Sequence, residues 1–83
     1  SGFRKQTYDL VFANILAVVL IEQPYALITA VKPGGRLILS GILAKEASEV
    51  RNKYQEKLDR LGKTYNITSH TLGEWSDVIV DIG

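Results

Sequence analysis

Two short, predominantly apolar segments constrain the fold more than any other feature of the sequence. The first is Tyr8–Ala13, and the second is Arg36–Gly41, which follows a Lys-Pro-Gly-Gly turn. Apolar runs without polar alternation are typical of strands buried on both faces, as in parallel sheets. Parallel strands need a long crossover connection, which is right-handed in nearly all proteins. The two segments therefore predict a parallel strand–helix–strand unit.

The connection between the two strands has a helical pattern. A helix is predicted over Ala17–Val31, because Leu16, Leu20, Leu27 and Val31 fall on one face. Pro24 lacks an amide donor and predicts a kink or a new helical start near Gln23. The turn Lys32–Gly35 is expected to end this helix.

A second helix and a hairpin complete the predicted fold. Apolar residues recur every three or four positions over Leu43–Leu61, and Gly62 is placed to cap that helix. Tyr65–Leu72 and Trp75–Ile82 then alternate polar and apolar residues around Gly73-Glu74, which predicts an antiparallel hairpin. Trp75 is expected to pack the hairpin onto the second helix.

We therefore predict one domain over residues 1–83 with a three-layer α/β fold. It consists of two parallel strands with a crossover helix and a C-terminal antiparallel hairpin.

Composition excludes several classes of protein. Ten Lys and Arg residues balance nine Asp and Glu residues, so the net charge is +1, which argues against binding nucleic acid through phosphate neutralisation. The chain is 46% apolar, which argues against disorder. It contains no cysteine and one histidine, which argues against thiolate chemistry and a structural zinc site. No stretch reaches the roughly 20 apolar residues of a membrane span, and a cytoplasmic location is expected.

The candidate site lies at the carboxyl ends of the two predicted parallel strands, where ligands bind in open α/β sheets. Asn14 ends the first strand, and its amide offers both a donor and an acceptor; the alternative role is to cap the next helix. Ser40 and Gly41 end the second strand, where glycine permits close approach of a ligand, although a tight strand–helix turn explains the pair as well. Lys32–Gly35 precedes a strand rather than a helix, so it is not a phosphate-binding loop. His70 stands without catalytic partners in the hairpin.

Two longer segments carry a family resemblance. DLVFANIL at residues 9–16 and KPGGRLILSGIL at residues 32–43 resemble the carboxyl-terminal half of the methyltransferase that modifies large-subunit ribosomal protein eleven, the PrmA family. The Gly73-Glu74-Trp75 turn is also similar to the end of that family. The resemblance implies a Rossmann-like methyltransferase sheet of seven strands, of which this chain supplies the fourth to the seventh. It also implies that the last strand lies between the second and the third.

The same resemblance implies a function and a site. The cofactor would be S-adenosylmethionine, and the partner would be a ribosomal protein methylated at a lysine or amino-terminal amine. Asn14 would contact the cofactor and lie beside the accepting amine, with Ile15 and Leu16 next to the substrate pocket. Ser40 and Gly41, at the neighbouring strand end, complete the predicted substrate-binding residues.

The resemblance also has a gap. The family's glycine-rich cofactor loop and its acidic ribose-binding residue are absent from these 83 residues. We therefore expect an incomplete methyltransferase domain that does not bind the cofactor alone. The alternative function is a non-catalytic α/β module that assembles through its first strand, Tyr8–Ala13, with a missing amino-terminal half or with a second copy.

Overall fold

The computed structural model describes residues 8–14 and 24–83, which form a four-stranded mixed sheet and two helices. The elements in chain order are β1 (Tyr8–Asn14), α1 (Pro24–Ala30), β2 (Val31–Leu43), a 3-10 turn (Ala44–Glu46), α2 (Ala47–Arg60), β3 (Tyr65–Leu72) and β4 (Trp75–Ile82). The order in the sheet is β1-β2-β4-β3. β1 and β2 are parallel, and the other two pairs are antiparallel. The predicted parallel pair, hairpin and strand order are confirmed.

The first predicted helix is confirmed over its described part, Pro24–Ala30. The rest of that prediction, including the kink near Gln23, lies outside the described residues. Val31 was predicted to be helical but is the first residue of β2, where it lies opposite Tyr8. Its β-branched side chain is fully buried, and this favours the extended conformation over one more helical turn.

The Lys-Pro-Gly-Gly segment interrupts β2 instead of preceding it. Tyr8 pairs with Val31 but Leu10 pairs with Arg36, so the four residues between form an irregularity in the parallel ladder. Gly34 has a φ of 84°, a conformation that L side chains rarely adopt. A Cβ on Gly35 would lie 2.7 Å from the carbonyl oxygen of Asp9, so β1 approaches this position too closely for any side chain.

The second helix begins later than its apolar periodicity predicts. Leu43 still belongs to β2, opposite Trp75, and the 3-10 turn separates it from α2. The carboxyl end agrees with the prediction: Gly62 has a φ of 69° and follows the last turn. The amide of Gly62 donates to the carbonyl of Asp59 (3.0 Å), and the amide of Lys63 donates to that of Leu58 (3.1 Å). This pair of bonds is a Schellman cap, which satisfies carbonyls that the helix leaves unpaired.

The core lies between one face of the sheet and the two helices. α1 packs against β1 and β2, α2 packs against β3 and β4, and the two helices contact each other. The strand residues beneath them are buried: Val11, Ala13, Leu37, Leu39, Ile67, Val78, Val80 and Ile82. The described residues thus supply two layers, a sheet and one helical layer.

The opposite face of the sheet, which we call the open face, carries the alternate residues of each strand. Leu10 and Phe12 of β1 are 55% and 63% exposed there, so β1 is covered on one face by described residues, although its sequence is typical of a strand covered on both. Ile38 and Ile79 lie in register with Phe12 and are half-buried. Arg36 and Asp81 pair across the same face, with Arg36 Nε 2.6 Å from Asp81 Oδ1.

Trp75 belongs to the open face, so the prediction that it packs onto the second helix is wrong. Successive strand residues point to opposite faces. Ser76, which follows Trp75, is 1% exposed on the helical side, whereas Trp75 itself is 55% exposed.

Candidate functional site

The carboxyl ends of β1 and β2 meet at one edge of the sheet, which we call the ligand edge. Asn14 is the last residue of β1 and lies opposite Ser40 across the parallel ladder. Gly41 follows directly in β2. The structure therefore brings together three of the predicted site residues, Asn14, Ser40 and Gly41. The other two, Ile15 and Leu16, lie outside the described residues.

Ser40 and Gly41 form a β-bulge. Leu39 pairs with Val78 and Ile42 pairs with Ser76, so β2 has one residue more than β4 over this interval. Gly41 has a φ of 74°, which a glycine adopts without strain. Bulges are common beside active sites, where they redirect side chains. Here the bulge leaves both Leu39 and Ile42 fully buried and places a residue without a side chain at the ligand edge.

The Ser40 hydroxyl helps to hold the end of β1. Ser40 Oγ donates to the carbonyl of Ala13 at 3.5 Å, a long hydrogen bond within the half-buried edge. Ser40 therefore links the two strand ends that a ligand would contact, in addition to offering a hydroxyl group.

A groove lies directly beyond the bulge. It has a volume of about 390 Å³ and is lined by Leu43, Ala44, Lys45, Gly73 and Glu74. The amide of Ala44 donates to the carbonyl of Glu74 (2.8 Å), which fastens the β3–β4 turn to the end of β2. Leu72 and Trp75, which flank the turn, are 80% and 55% exposed.

Sequence reasoning missed this groove. The turn and the end of β2 come together because Leu43 pairs with Trp75, a register that depends on the upstream bulge. The available signal was the presence of two large apolar residues, Leu72 and Trp75, on either side of a two-residue turn.

The ionic contacts among the described residues lie elsewhere. Lys32 Nζ is 2.6 Å from Asp9 Oδ1, and the Arg36–Asp81 pair raises the pKa of Arg36 through its hydrogen bond and charge. Both pairs lie toward the amino ends of β1 and β2, away from the ligand edge. They connect neighbouring strands and do not line the ligand edge.

Two other candidate chemistries find no support in the described residues. His70 is exposed opposite Asp77, and no group of three or more His, Cys, Asp or Glu residues that could hold a metal ion occurs in this part of the chain.

None of the helices described here is long and apolar enough to cross a membrane.

The ligand edge suits binding and orientation. It combines a strand-end asparagine, a hydroxyl and a bulge glycine with an adjoining groove, and the neighbouring strands are apolar. The parallel pair continued by an antiparallel hairpin, in the order β1-β2-β4-β3, is the arrangement predicted for the carboxyl-terminal half of a Rossmann-like sheet. A solved methyltransferase from Pyrococcus furiosus is similar in fold, with a TM-score of 0.55, 22% identity, and coverage of 99% of this chain and 44% of that one.

The family follows from the sequence match. Residues 1–80 match the family model of ribosomal protein L11 methyltransferase (PrmA), and the chain belongs to this family. The solved ribosomal protein L11 methylase of Lactobacillus delbrueckii subsp. bulgaricus shares the fold with a TM-score of 0.73. It is 24% identical, and the alignment covers 89% of this chain and 36% of that one.

Curated relatives agree over part of the chain. The ribosomal protein L11 methyltransferase of Azotobacter vinelandii is 53% identical over 51 residues, which are 61% of this chain and 18% of that protein. That of Cupriavidus metallidurans is 54% identical over 48 residues, 58% of this chain and 16% of that protein. The chain thus spans less than a fifth of the curated relatives it matches.

Proposed function

We propose that this chain is the carboxyl-terminal part of an S-adenosylmethionine-dependent methyltransferase that modifies amines of a ribosomal protein. The family match over residues 1–80 carries the proposal. The ligand edge supports it, because Asn14 and Ser40 lie opposite each other where an α/β sheet binds its ligands. The curated relatives are named for ribosomal protein L11, which we take as the acceptor, and this acceptor implies a cytoplasmic location.

The residues of this chain fit one side of a cofactor site. Asn14 provides an amide at the strand end, and the Gly41 bulge has no side chain to obstruct a ligand. The seven glycines do not form a glycine-rich loop between a strand and a helix, so the remaining cofactor contacts come from outside these 83 residues. When bound, S-adenosylmethionine supplies a methyl group on a sulfonium.

The task of this chain is to position the acceptor. The cofactor, when bound, would supply the methyl group and keep the electron pair of its sulfur–carbon bond, and this chain would hold a neutral acceptor amine with its lone pair toward that methyl group. The Asn14 amide oxygen would orient the amine by accepting a hydrogen bond from its N–H, and Ile15 and Leu16, which follow Asn14 in the sequence, are proposed as neighbours of the substrate pocket. Orientation of this kind can supply several kcal/mol of a reaction barrier, on the order of 7–11 for well-aligned reactants.

The test uses the full-length protein that carries this chain, ribosomal protein L11 and S-adenosylmethionine. Mass spectrometry of the acceptor should show gains of whole methyl groups on lysine or amino-terminal amines. An acceptor whose mass is unchanged after prolonged incubation would reject the proposal.

A second function applies to the isolated chain. β1 pairs with β2 along one edge, and no described strand pairs with its other edge. Leu10 and Phe12 are exposed beside that edge. We propose that the 83-residue chain alone is a non-catalytic module that assembles through β1 with the missing part of the domain or with a second copy. Calorimetric titration with S-adenosylmethionine separates the two functions: the chain alone should release no binding heat, and heat should appear once the rest of the domain is added.

A further inference from the structure

The two sides of the groove beyond the ligand edge are joined by a backbone hydrogen bond, from the Ala44 amide to the Glu74 carbonyl (2.8 Å). The turn at its rim depends on Gly73, whose φ is 62°. Its volume of about 390 Å³ falls in the range of ligand sites, roughly 300–1,000 Å³. The groove is therefore large enough to hold a ligand.

Its position connects it to the ligand edge. Leu43 follows Ser40 by three residues, which is about 10 Å along an extended strand. A polypeptide lying in the groove can therefore reach the ligand edge within three or four of its own residues.

The charged side chains of the groove form no ion pair with the described residues. The ion pairs among the described residues are Lys32–Asp9, Arg36–Asp81 and Arg60–Glu56. Glu74 and Lys45 line the groove, and neither forms an ion pair with any described residue. Both are exposed, whereas Leu43 and Ala44 beside them are half-buried and apolar.

We propose that this groove holds an extended, lysine-bearing segment of the acceptor protein, next to the amine that is methylated. The inference rests on the proposed methyl transfer and assigns a docking surface to it. A lysine side chain has an apolar stem and a cationic end, which match the Leu43–Ala44 floor and the Glu74 carboxylate. Lys45 presents three N–H donors, which suit the main-chain carbonyls of an extended segment.

The experiment measures binding separately from methyl transfer. Fluorescently labelled ribosomal protein L11 is titrated with the full-length protein in the absence of S-adenosylmethionine, and the anisotropy gives the Kd. The test variant is Glu74→Gln. Glu56→Gln, the same change on the exposed surface of α2, is the matched control, and urea midpoints verify that both variants are folded.

We expect Glu74→Gln to raise the Kd about fivefold, the range of an exposed ion pair, and Glu56→Gln to leave it unchanged. The difference should shrink at high salt, because screening weakens exposed charge pairs. Equal Kd values for Glu74→Gln and the unsubstituted protein would overturn the docking site, as would failure of the unsubstituted protein to bind. If the Glu74 effect is present but the acceptor gains no methyl groups, the docking site stands and the proposed methyl transfer fails.

Discussion

Asn14 lies directly opposite Ser40 at the carboxyl end of the parallel ladder, and the Ser40 hydroxyl reaches across to the carbonyl of Ala13, the residue before Asn14. The two strand ends are therefore linked by a side-chain hydrogen bond as well as by backbone pairing. This arrangement fixes the backbone that carries the proposed acceptor-binding amide.

Asn14→Ala in the full-length protein should reduce methyl transfer at least tenfold, which corresponds to about 1.4 kcal/mol of lost transition-state stabilisation. The substitution removes the amide that we propose orients the amine. Rates are measured with ribosomal protein L11, and stability by urea unfolding. Asn66→Ala, at an exposed position of β3, is the control and should retain the full rate. A normal rate for Asn14→Ala would remove this residue from the site.

Gly35→Ala should destabilise the fold by about 1–3 kcal/mol, the range for overpacking a close contact. The added Cβ would lie 2.7 Å from both the Asp9 carbonyl oxygen and Val31 Cγ1. Gly34→Ala is the comparison: it adds a Cβ in open space at a φ of 84°, so it costs backbone strain alone. The urea midpoint should fall further for Gly35→Ala, and the opposite order would show that β1 does not approach Gly35 closely.

Tyr54→Phe should leave stability at neutral pH unchanged or raise it by up to about 1 kcal/mol. The Tyr54 side chain is fully buried in the core, and its hydroxyl has no hydrogen-bond partner among the described residues. Tyr65→Phe is the contrasting variant, because the Tyr65 hydroxyl donates to Asp59 Oδ1 at 2.7 Å. Urea unfolding of both variants provides the measurement, and a marked loss of stability in Tyr54→Phe would reveal a partner for that hydroxyl.

The buried hydroxyl of Tyr54 also predicts that the fold loses stability at alkaline pH. Burial raises the pKa of Tyr54 above its ordinary value, which is near 10. The unfolded chain therefore loses the phenolic proton at a lower pH than the folded chain. The stability that the protonated Tyr54 hydroxyl contributes is fully present below about pH 10. Above that pH the free energy of unfolding declines by up to about 1.4 kcal/mol per pH unit. Unfolding measured from pH 8 to 11 should show a shallower decline in Tyr54→Phe, and identical pH profiles would contradict the assignment.

The isolated 83-residue chain should form a homodimer at micromolar concentration. Pairing along the outer edge of β1 would satisfy backbone groups and cover Leu10 and Phe12, and burial of a large apolar side chain contributes about 1.5–3 kcal/mol. Sedimentation velocity should show the dimer, and Phe12→Lys should shift it to monomer because lysine on an edge strand opposes pairing. The Leu72→Lys variant changes an exposed apolar residue of β3, the edge strand opposite β1, and should stay dimeric. A monomer before any substitution would rule out this association.

The regular parts of the fold follow from local patterns. Apolar runs predict β1 and β2, and polar alternation around Gly73-Glu74 predicts the hairpin that the structure shows. The position of β4 between β2 and β3 comes from the family resemblance, because alternation within a strand does not specify its neighbour. Asn14 and Ser40 were predicted to lie at neighbouring strand ends, and they do.

The missed irregularities have one physical cause. The residues Lys32–Gly35 and the pair Ser40-Gly41 interrupt the ladders, and the position of an interruption depends on strands distant in sequence. The groove beside Leu43 depends on the second of these registers, and the sequence around Leu43 does not contain that information. The face of Trp75, in contrast, follows from alternation within β4, where Val78 and Val80 face the helices.

The Gly41 bulge adds one residue to β2 and so determines which of the following residues face the helices. Leu39 and Ile42, an odd and an even residue, both point to the helices because one surplus residue separates them. Loss of a single codon at Ser40 or Gly41 would remove that surplus residue, so strict alternation would keep Ile42 on the helical side and only the bulge at the ligand edge would be lost. Segments exchanged between relatives at this junction must therefore preserve the residue count if the bulge at the ligand edge is to be kept, even where the side chains themselves are interchangeable.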